Sequence, residues 1–274
     1  MLYLVSTPIG NLGDFSERAR QTLEHVDLVA CEDTRTSGQL FSLLGIKVAA
    51  VTPYHEHNAD TARPKLIEKL KKGVHVALVS DAGTPLISDP GYKLVRDCQT
   101  HHIPVTTVPG ANAVLSALQL SGLPTDAFLF GGFLPAKSGA RKQTLETFKT
   151  VPATLVFYET ANRLIDSLID INDILGNREM AVVREITKKF EETQRDTVEN
   201  LIHFYSDDEN TPRGEIVLVI SRASSSSQYS DTQLDDLIQA TLKNHSVRDT
   251  VDIVTGLTGQ NKKQVYKRVL ELVQ

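Results

Sequence analysis

The strongest constraint on the fold is an alternation in the first half of the chain. Short, predominantly apolar runs at Leu2–Val5, Leu28–Ala30, Val48–Val51, Val74–Val79 and Val105–Val108 are separated by longer amphipathic stretches at Ser16–His25, Thr36–Leu44, Asp60–Lys72 and Pro90–His101. A strand with no polar side must be covered on both faces, and strands that alternate with helices form parallel sheets. In Asp60–Lys72, helical spacing puts Leu66, Ile67 and Leu70 on one stripe, and Gly73 supplies the stop. This half is an α/β domain.

A second set follows the helix Ala111–Ser121 and the break Gly122-Leu123-Pro124. Strands are expected at Phe128–Phe130, Thr154–Tyr158, Met180–Ile186 and Glu215–Ile220, and helices at Arg141–Lys149, Asn162–Leu175 and Thr197–Tyr205. The expected division is an α/β domain with ligand loops over 1–123, a second α/β domain over 124–222, a serine-rich linker over 223–230 and a small helical domain over 231–274. Ser224–Ser227 is too polar to pack. The tail reads as helices Asp231–Asn244, Ser246–Gly256 and Lys262–Val273, with Lys262, Lys263, Lys267 and Arg268 late in it. It is either a solvated cap or a helix-turn-helix that turns at Thr258-Gly259-Gln260 and binds nucleic acid through Lys262 and Lys263.

The 274 residues are 41% hydrophobic and 23% charged, with two cysteines and a net charge of −5. That length buries a core without staples, and two cysteines make no disulfide framework, which points to a reducing cytoplasm. The N-terminus has no basic region before its apolar run and is not a signal peptide. Ile103–Thr125 carries no charge but is interrupted by Pro104, Pro109, Gly110 and Pro124, so no membrane-spanning helix is expected there. The acidic balance excludes indiscriminate coating of nucleic acid but leaves room for a local basic patch.

Three glycine- and proline-rich loops follow predicted strands: Ser6–Asn11, Asp81–Gly91 and Pro109–Ala113. Ligands of open parallel sheets bind beyond the carboxyl ends of the strands. Loops of this kind bring backbone groups close to a small molecule. Neither GxGxxG nor GxxxxGK[ST] occurs, which disfavours a pyrophosphate cradle. Glu32-Asp33-Thr34-Arg35 is a helix N-cap or places a candidate base beside a phosphate-binding Arg35. Tyr54–Asn58 contains an HxH pair, which with Asp33 and Asp81 would suit a metal-dependent phosphohydrolase; a hydrogen-bonding cluster at the cleft mouth is the other reading. Phe133–Lys142 carries Lys137, Arg141 and Lys142, a solvated loop or a phosphate-contacting patch. Glu159 either caps the following helix or joins the candidate carboxylates.

The segments LYLVSTPIGNLGD, VACEDTRTS, PYHEHN, VSDAGTPLISDPG, VPGANAV, SGLPTD, GGFLPAKSGAR, FYE and RGE occur in that order. Together they resemble the ribosomal RNA small subunit methyltransferase I family of the tetrapyrrole-methylase-like superfamily, over about Met1–Ile220 and more loosely through the tail. The resemblance implies two α/β domains with S-adenosylmethionine in the cleft between them, a homodimer, and methylation of the ribose 2′-hydroxyl of a cytidine in the decoding region of 16S ribosomal RNA within the small subunit. It implies cofactor contacts by Pro8, by Asp81, Ala82, Gly83, Thr84, Leu86, Ile87 and Ser88, by Asn112 and Ala113, and by Tyr158, Arg213, Gly214 and Glu215 from the second domain. Candidate bases are Asp33, Glu32, Asp81 and Glu159, with Asp33 preferred because of Arg35. Arg35, Lys137, Arg141 and Lys142 are the expected RNA contacts, and no metal is expected. Where the family shows a Ser/Ala-Pro-His-Arg run, this chain has Thr160-Ala161-Asn162-Arg163, which keeps only the arginine. A tetrapyrrole-like small-molecule methyltransferase and a non-catalytic RNA-binding module are the remaining alternatives.

Overall fold

The computed structural model describes residues 1–223 and 231–273, so the predicted serine-rich linker lies outside the described residues beyond Ala223. Met1–Phe148 and Thr154–Ser221 form one compact unit, while Lys149–Ala153 with Arg222–Gln274 forms another.

The larger unit contains two sheets. The first comprises β1 (Leu2–Val5), β2 (Leu28–Cys31), β3 (Val51–Pro53), β4 (Val76–Val79) and β5 (Val105–Val108) in the order β3-β2-β4-β1-β5. All its pairs are parallel. Helices α1 (Glu17–His25), α2 (Thr34–Leu44), α3 (Ala59–Lys71) and α4 (Tyr92–Thr100) connect the strands. Coverage on both faces is visible in the alternation along β2 and β4. Leu28, Ala30, Val76 and Leu78 join Leu66, Ile67, Leu70 and Leu94 on one side. Val29, Cys31, Ala77 and Val79 join Leu23, Val26 and Phe41 on the other.

Beyond α5 (Ala113–Ser121), the second sheet has the order β6-β7-β10-β8-β9, formed by β6 (Phe128–Phe133), β7 (Thr154–Thr160), β8 (Glu179–Arg184), β9 (Glu192–Thr197) and β10 (Glu215–Ile220). Only β6 and β7 run parallel; the remaining pairs are antiparallel. Helix α5 packs its Val114, Ala117 and Leu118 onto Val156, Ala181, Val183, Val217 and Val219 of this sheet, which ties the two sheets together. The alternate residues, Leu155, Phe157, Val182 and Leu218 among them, are buried on the opposite face. Helices α6 (Ser138–Phe148), α7 (Leu164–Leu175) and α8 (Val198–Tyr205) complete the unit.

Two strands differ from expectation. The run Val48–Val51 is not β3: Val48 packs into the core ahead of the strand, and the ladder with β2 begins only at Val51 and ends at Pro53. Proline is tolerated there because β3 is an edge. Strand β9, of sequence ETQRDT, is absent from the sequence reading because it has no apolar residue; it pairs only with β8 and has no buried face.

The smaller unit holds α9 (Asp231–Leu242), α10 (Val247–Thr258) and α11 (Lys262–Val273), the three expected tail helices. Leu234, Ile238, Val251, Val254, Val265 and Val269 form its core. Gly259 ends α10 at φ 66°, the left-handed conformation that stops a helix. Arg268 holds Asp235 through two hydrogen bonds of 2.7 Å.

Candidate functional site

The three predicted loops meet at the carboxyl ends of β1, β4 and β5, with β4 and β1 adjacent at the centre of the sheet. Backbone bonds join Thr7 and Gly83 in both directions, at 2.9 and 3.1 Å. The Thr84 hydroxyl donates to the Ala111 carbonyl at 3.2 Å and accepts from Ser6 Oγ at 3.3 Å and Asn112 Nδ2 at 3.2 Å. Asn112 also caps α5, its side-chain oxygen accepting from the Leu115 N–H at 3.1 Å. Threonine 84 thus fastens all three loops into one rigid floor. Gly83 has φ 78°, and a Cβ there would press on Ile9 at 3.2 Å.

Above this floor is a cavity of about 500 Å³ that also takes in the ends of β7 and β10 of the second sheet. Two turns shape it in the same way. Ile87 sits between Leu86 (φ 73°) and Ser88 (φ 63°), and Ile186 sits between Glu185 (φ 49°) and Thr187 (φ 66°). Each turn presents its isoleucine to the cavity. Left-handed backbone at non-glycine residues costs about 1–2 kcal/mol per residue and is retained where the surroundings enforce it, commonly at functional sites. The enforcing contacts are identifiable. The Leu86 side chain is anchored in the core. Glu185 Oε1 accepts from the Glu215 N–H and from Lys188 Nζ, each at 3.0 Å. Gly214, at φ 81°, makes room for that carboxylate, because a Cβ would lie 2.2 Å from Glu185 Oε1.

The expected cofactor residues Asp81, Ala82, Gly83, Thr84, Ile87, Ser88, Asn112, Ala113, Tyr158, Gly214 and Glu215 all line this cavity. Pro8, Leu86 and Arg213 are not among its lining residues: Pro8 is buried, Arg213 is exposed, and Leu86 points into the core. The sequence reading missed Ile9, Asp89, Phe133, Thr160, Ile186, Ile216 and Val217 as wall residues. Asp89 had a visible signal, as the second carboxylate of the SDAGTPLISDPG segment.

The carboxylates differ sharply in environment. Asp33, the preferred base, caps α2 and is clamped by Arg35. Hydrogen bonds from the Arg35 side chain and backbone hold its pKa down to about 2, which makes it a poor proton acceptor. Asp81 Oδ1 accepts the Asp33 N–H at 3.0 Å. Burial raises Glu32, and the Asp81 charge adds to the rise. The Glu159 side chain is fully buried and its oxygens are engaged by the Thr160 N–H (2.7 Å), Arg163 Nε (2.8 Å) and Ser167 Oγ (2.5 Å). It is therefore a structural anion rather than a base. Asp89 is raised to about 6 by burial first, then by the charges of Glu32 and Asp81. Tyr158 is pushed up to about 12 by burial and by Asp89 and Glu215. Its ring packs edge-on against Phe130 and Phe133 at centroid distances of 4.8 and 5.2 Å.

The basic candidates divide as well. Arg35 and Lys137 are exposed. Arg141 corrects an expectation: its side chain is 3% exposed and is ion-paired with Asp170 at 2.6 Å, so it does not face a polynucleotide. Lys142 is half-buried and bound to Asp173 at 2.7 Å and Asp170 at 3.4 Å. In the tail, Lys262 pairs with Asp252 at 2.5 Å and Lys263 is exposed. His55 and His57 lie edge to face, 6.1 Å apart. Among the described residues no group of three or more His, Cys, Asp or Glu side chains is arranged to hold a metal ion, so Asp33 and Asp81 do not complete such a set with the two histidines.

No lysine or arginine lines the cavity, four of its lining side chains besides Glu159 are carboxylates, and the remainder are largely aliphatic or aromatic. Such walls suit a molecule with cationic groups and a flat apolar part, and they oppose phosphates. Two stacked-loop sheets around such a cavity define a tetrapyrrole methylase fold, and the profile of the tetrapyrrole (corrin/porphyrin) methylases matches residues 1–202. Solved structures agree at the level of the fold. Diphthine synthase superposes with a TM-score of 0.62 at 15% identity, covering 80% of this chain and 89% of that one. A Thermus thermophilus uroporphyrin-III C-methyltransferase, complexed with S-adenosylhomocysteine, gives 0.54 at 19% identity, covering 81% and 97%.

Closer relatives narrow the class. The ribosomal RNA small subunit methyltransferase I of Mesorhizobium japonicum is 47% identical over 99% of this chain and 92% of its own length. That of Escherichia coli O157:H7 is 42% identical over 98% and 94%. The RsmI C-terminal HTH domain matches residues 229–273. The chain belongs to the ribosomal RNA small subunit methyltransferase I family.

Proposed function

We propose that the protein is an S-adenosylmethionine-dependent methyltransferase that modifies the ribose 2′-hydroxyl of a cytidine in the decoding region of 16S ribosomal RNA, acting on the small ribosomal subunit as a cytoplasmic homodimer. The observation that carries the reading is the cation-free, carboxylate-bearing cavity in a chain related end to end to proteins of that name. The cavity fits this cofactor by its chemistry: Asp81 and Glu215 for a sulfonium and an ammonium, and Ile9, Ala113, Ile216 and Val217 for the apolar face of a nucleoside. Its volume falls in the usual range for a ligand of that size, about 300–1,000 Å³.

S-adenosylmethionine, when bound, supplies an already electrophilic methyl group, so the protein's task is placement. The loops fastened through Thr84 hold the floor still, and the turns at Ile87 and Ile186 close its sides. Such orientation is worth several kcal/mol of barrier, up to about 7–11. Arg35 and Lys137, exposed near the loops that build the floor and walls, are suited to phosphates of the RNA, and Lys263 on α11 to a second contact.

The test is incubation of the protein with labelled S-adenosylmethionine and small subunits lacking the modification, followed by alkaline hydrolysis. A 2′-O-methylated linkage resists alkali, so label is expected in one alkali-stable dinucleotide beginning with cytidine. Label on a base, or on a small tetrapyrrole but not on RNA, would discard the assignment.

A further inference from the structure

Most carboxylates around the cavity are committed to a fixed partner. Asp33 is held by Arg35, Glu159 by Arg163 and Ser167, and Glu215 by Lys188 at 2.9 Å. Asp81 receives the Asp33 N–H, and Glu32 receives the backbone N–H of Asp81. Asp89 stands apart. It lines the cavity, and no ion pair among the described residues reaches it. The groups that face it are the Ser80 hydroxyl, the carboxylates Glu32 and Asp81 at the ends of β2 and β4, and the Tyr158 phenol on β7 across the cavity. His55 interacts with Glu32 from the loop after β3, not with Asp89.

Asp89 is also held in place. Pro90 follows it, and Gly91 after that has φ 141° and sits so tightly that a Cβ would be 2.8 Å from both Leu78 and Leu86. The segment is packed onto the sheet, and the strained turn at Leu86–Ser88 precedes it. A side chain carried by such a segment keeps one position, as a group that must meet a reacting atom requires.

We propose that Asp89 is the general base of the methyl transfer, accepting the proton of the ribose 2′-hydroxyl. The inference rests on the function proposed above. In the step, the bond from the ribose oxygen to the methyl carbon forms as the sulfur–carbon bond breaks with its electron pair remaining on sulfur. The hydroxyl proton moves to the Asp89 carboxylate and then to water. The uncountered environment serves this role: a carboxyl raised to about 6 is ionised at neutral pH yet takes up a proton far more readily than one held near 2.

The experiment measures single-turnover transfer to unmodified small subunits at saturating S-adenosylmethionine between pH 5 and 8, alongside calorimetric binding of S-adenosylhomocysteine, whose sulfur is uncharged. The wild-type rate is expected to rise tenfold per pH unit to about pH 6 and then level. Asp89→Asn should lower the plateau by about 10²–10³-fold and abolish the rise, with S-adenosylhomocysteine affinity within threefold of wild type; Asp89→Glu should recover part of the rate. A flat wild-type profile, an Asp89→Asn rate within threefold of wild type, or a loss of S-adenosylhomocysteine affinity as large as the loss of rate would overturn the proposal. Failure of the wild-type protein itself to produce an alkali-stable linkage would instead remove the reading beneath it.

Discussion

Replacing Arg141 by methionine separates a structural cation from an RNA contact. The guanidinium donates to Asp170 Oδ2 at 2.6 and 2.7 Å and lies 3.3–3.4 Å from the carbonyls of Ala136 and Pro135. Both side chains are almost wholly buried. Deleting one partner of such a pair costs about 3–5 kcal/mol, because the other charge remains without compensation. Arg141→Met belongs at the lower end, ~3 kcal/mol, since Ser138 Oγ at 2.9 Å and Lys142 at 3.4 Å still attend Asp170. Asp170→Asn belongs at the upper end, ~4–5 kcal/mol, since it leaves the guanidinium with carbonyls alone. In a unit of this size each kcal/mol moves the melting temperature about 2–4 °C, so Arg141→Met should melt ~6–12 °C lower. The chain has no tryptophan, so melting is followed by far-ultraviolet circular dichroism. Small-subunit affinity, measured on the folded fraction at low temperature, should be unchanged. Arg141→Met protein that melts at the wild-type temperature but binds subunits tenfold more weakly would refute the structural assignment.

Asp89→Asn should stabilise the protein at pH 7.5. The rise from the usual 3.8 to about 6 corresponds to ~3 kcal/mol, which we halve to ~1.5 because the group remains partly open to solvent. A raised carboxyl means that the folded state binds more protons between about pH 4 and 6, so wild-type stability falls as pH rises through that window. Urea titrations at pH 4 and 7.5 should show the variant's advantage only at the higher pH; an equal advantage at both would sink this account. Gly214→Ala must displace Glu185 from the Glu215 N–H, and S-adenosylhomocysteine binding should weaken more than tenfold by calorimetry; unchanged binding would separate the Ile186 turn from the cofactor site. Arg35→Ala should weaken subunit binding and reduce the slope of log affinity against log salt by about one, whereas loss of a plain helix-cap partner would leave that slope alone.

How much of this was legible beforehand depended on whether the signal was local. The inner strands of the first sheet announced themselves because every residue of β2 and β4 is buried. The loops did too, since glycine and proline constrain the backbone wherever they occur. Strand β9 was hidden because an edge with a polar sequence owes its place to its neighbour β8. Arg141 was misread because Asp170 lies 29 residues away and nothing near the arginine betrays it. Asp33 beside Arg35 looked like a base, but the arginine clamps its carboxylate and holds its pKa down. Asp89 was passed over although its segment was singled out, because what separates it from the other acids, burial among like charges, appears only in the fold.

The buried Glu159 has a consequence for how freely the adjoining turn can vary. Arg163 supplies the positive charge that lets this carboxylate exist without water, while Asn162 faces solvent and Ala161 is only half-covered. In a library randomised over this turn, the two middle places should accept many residues and the arginine almost none. The outside of this turn can therefore change while the counter-ion inside stays as it is.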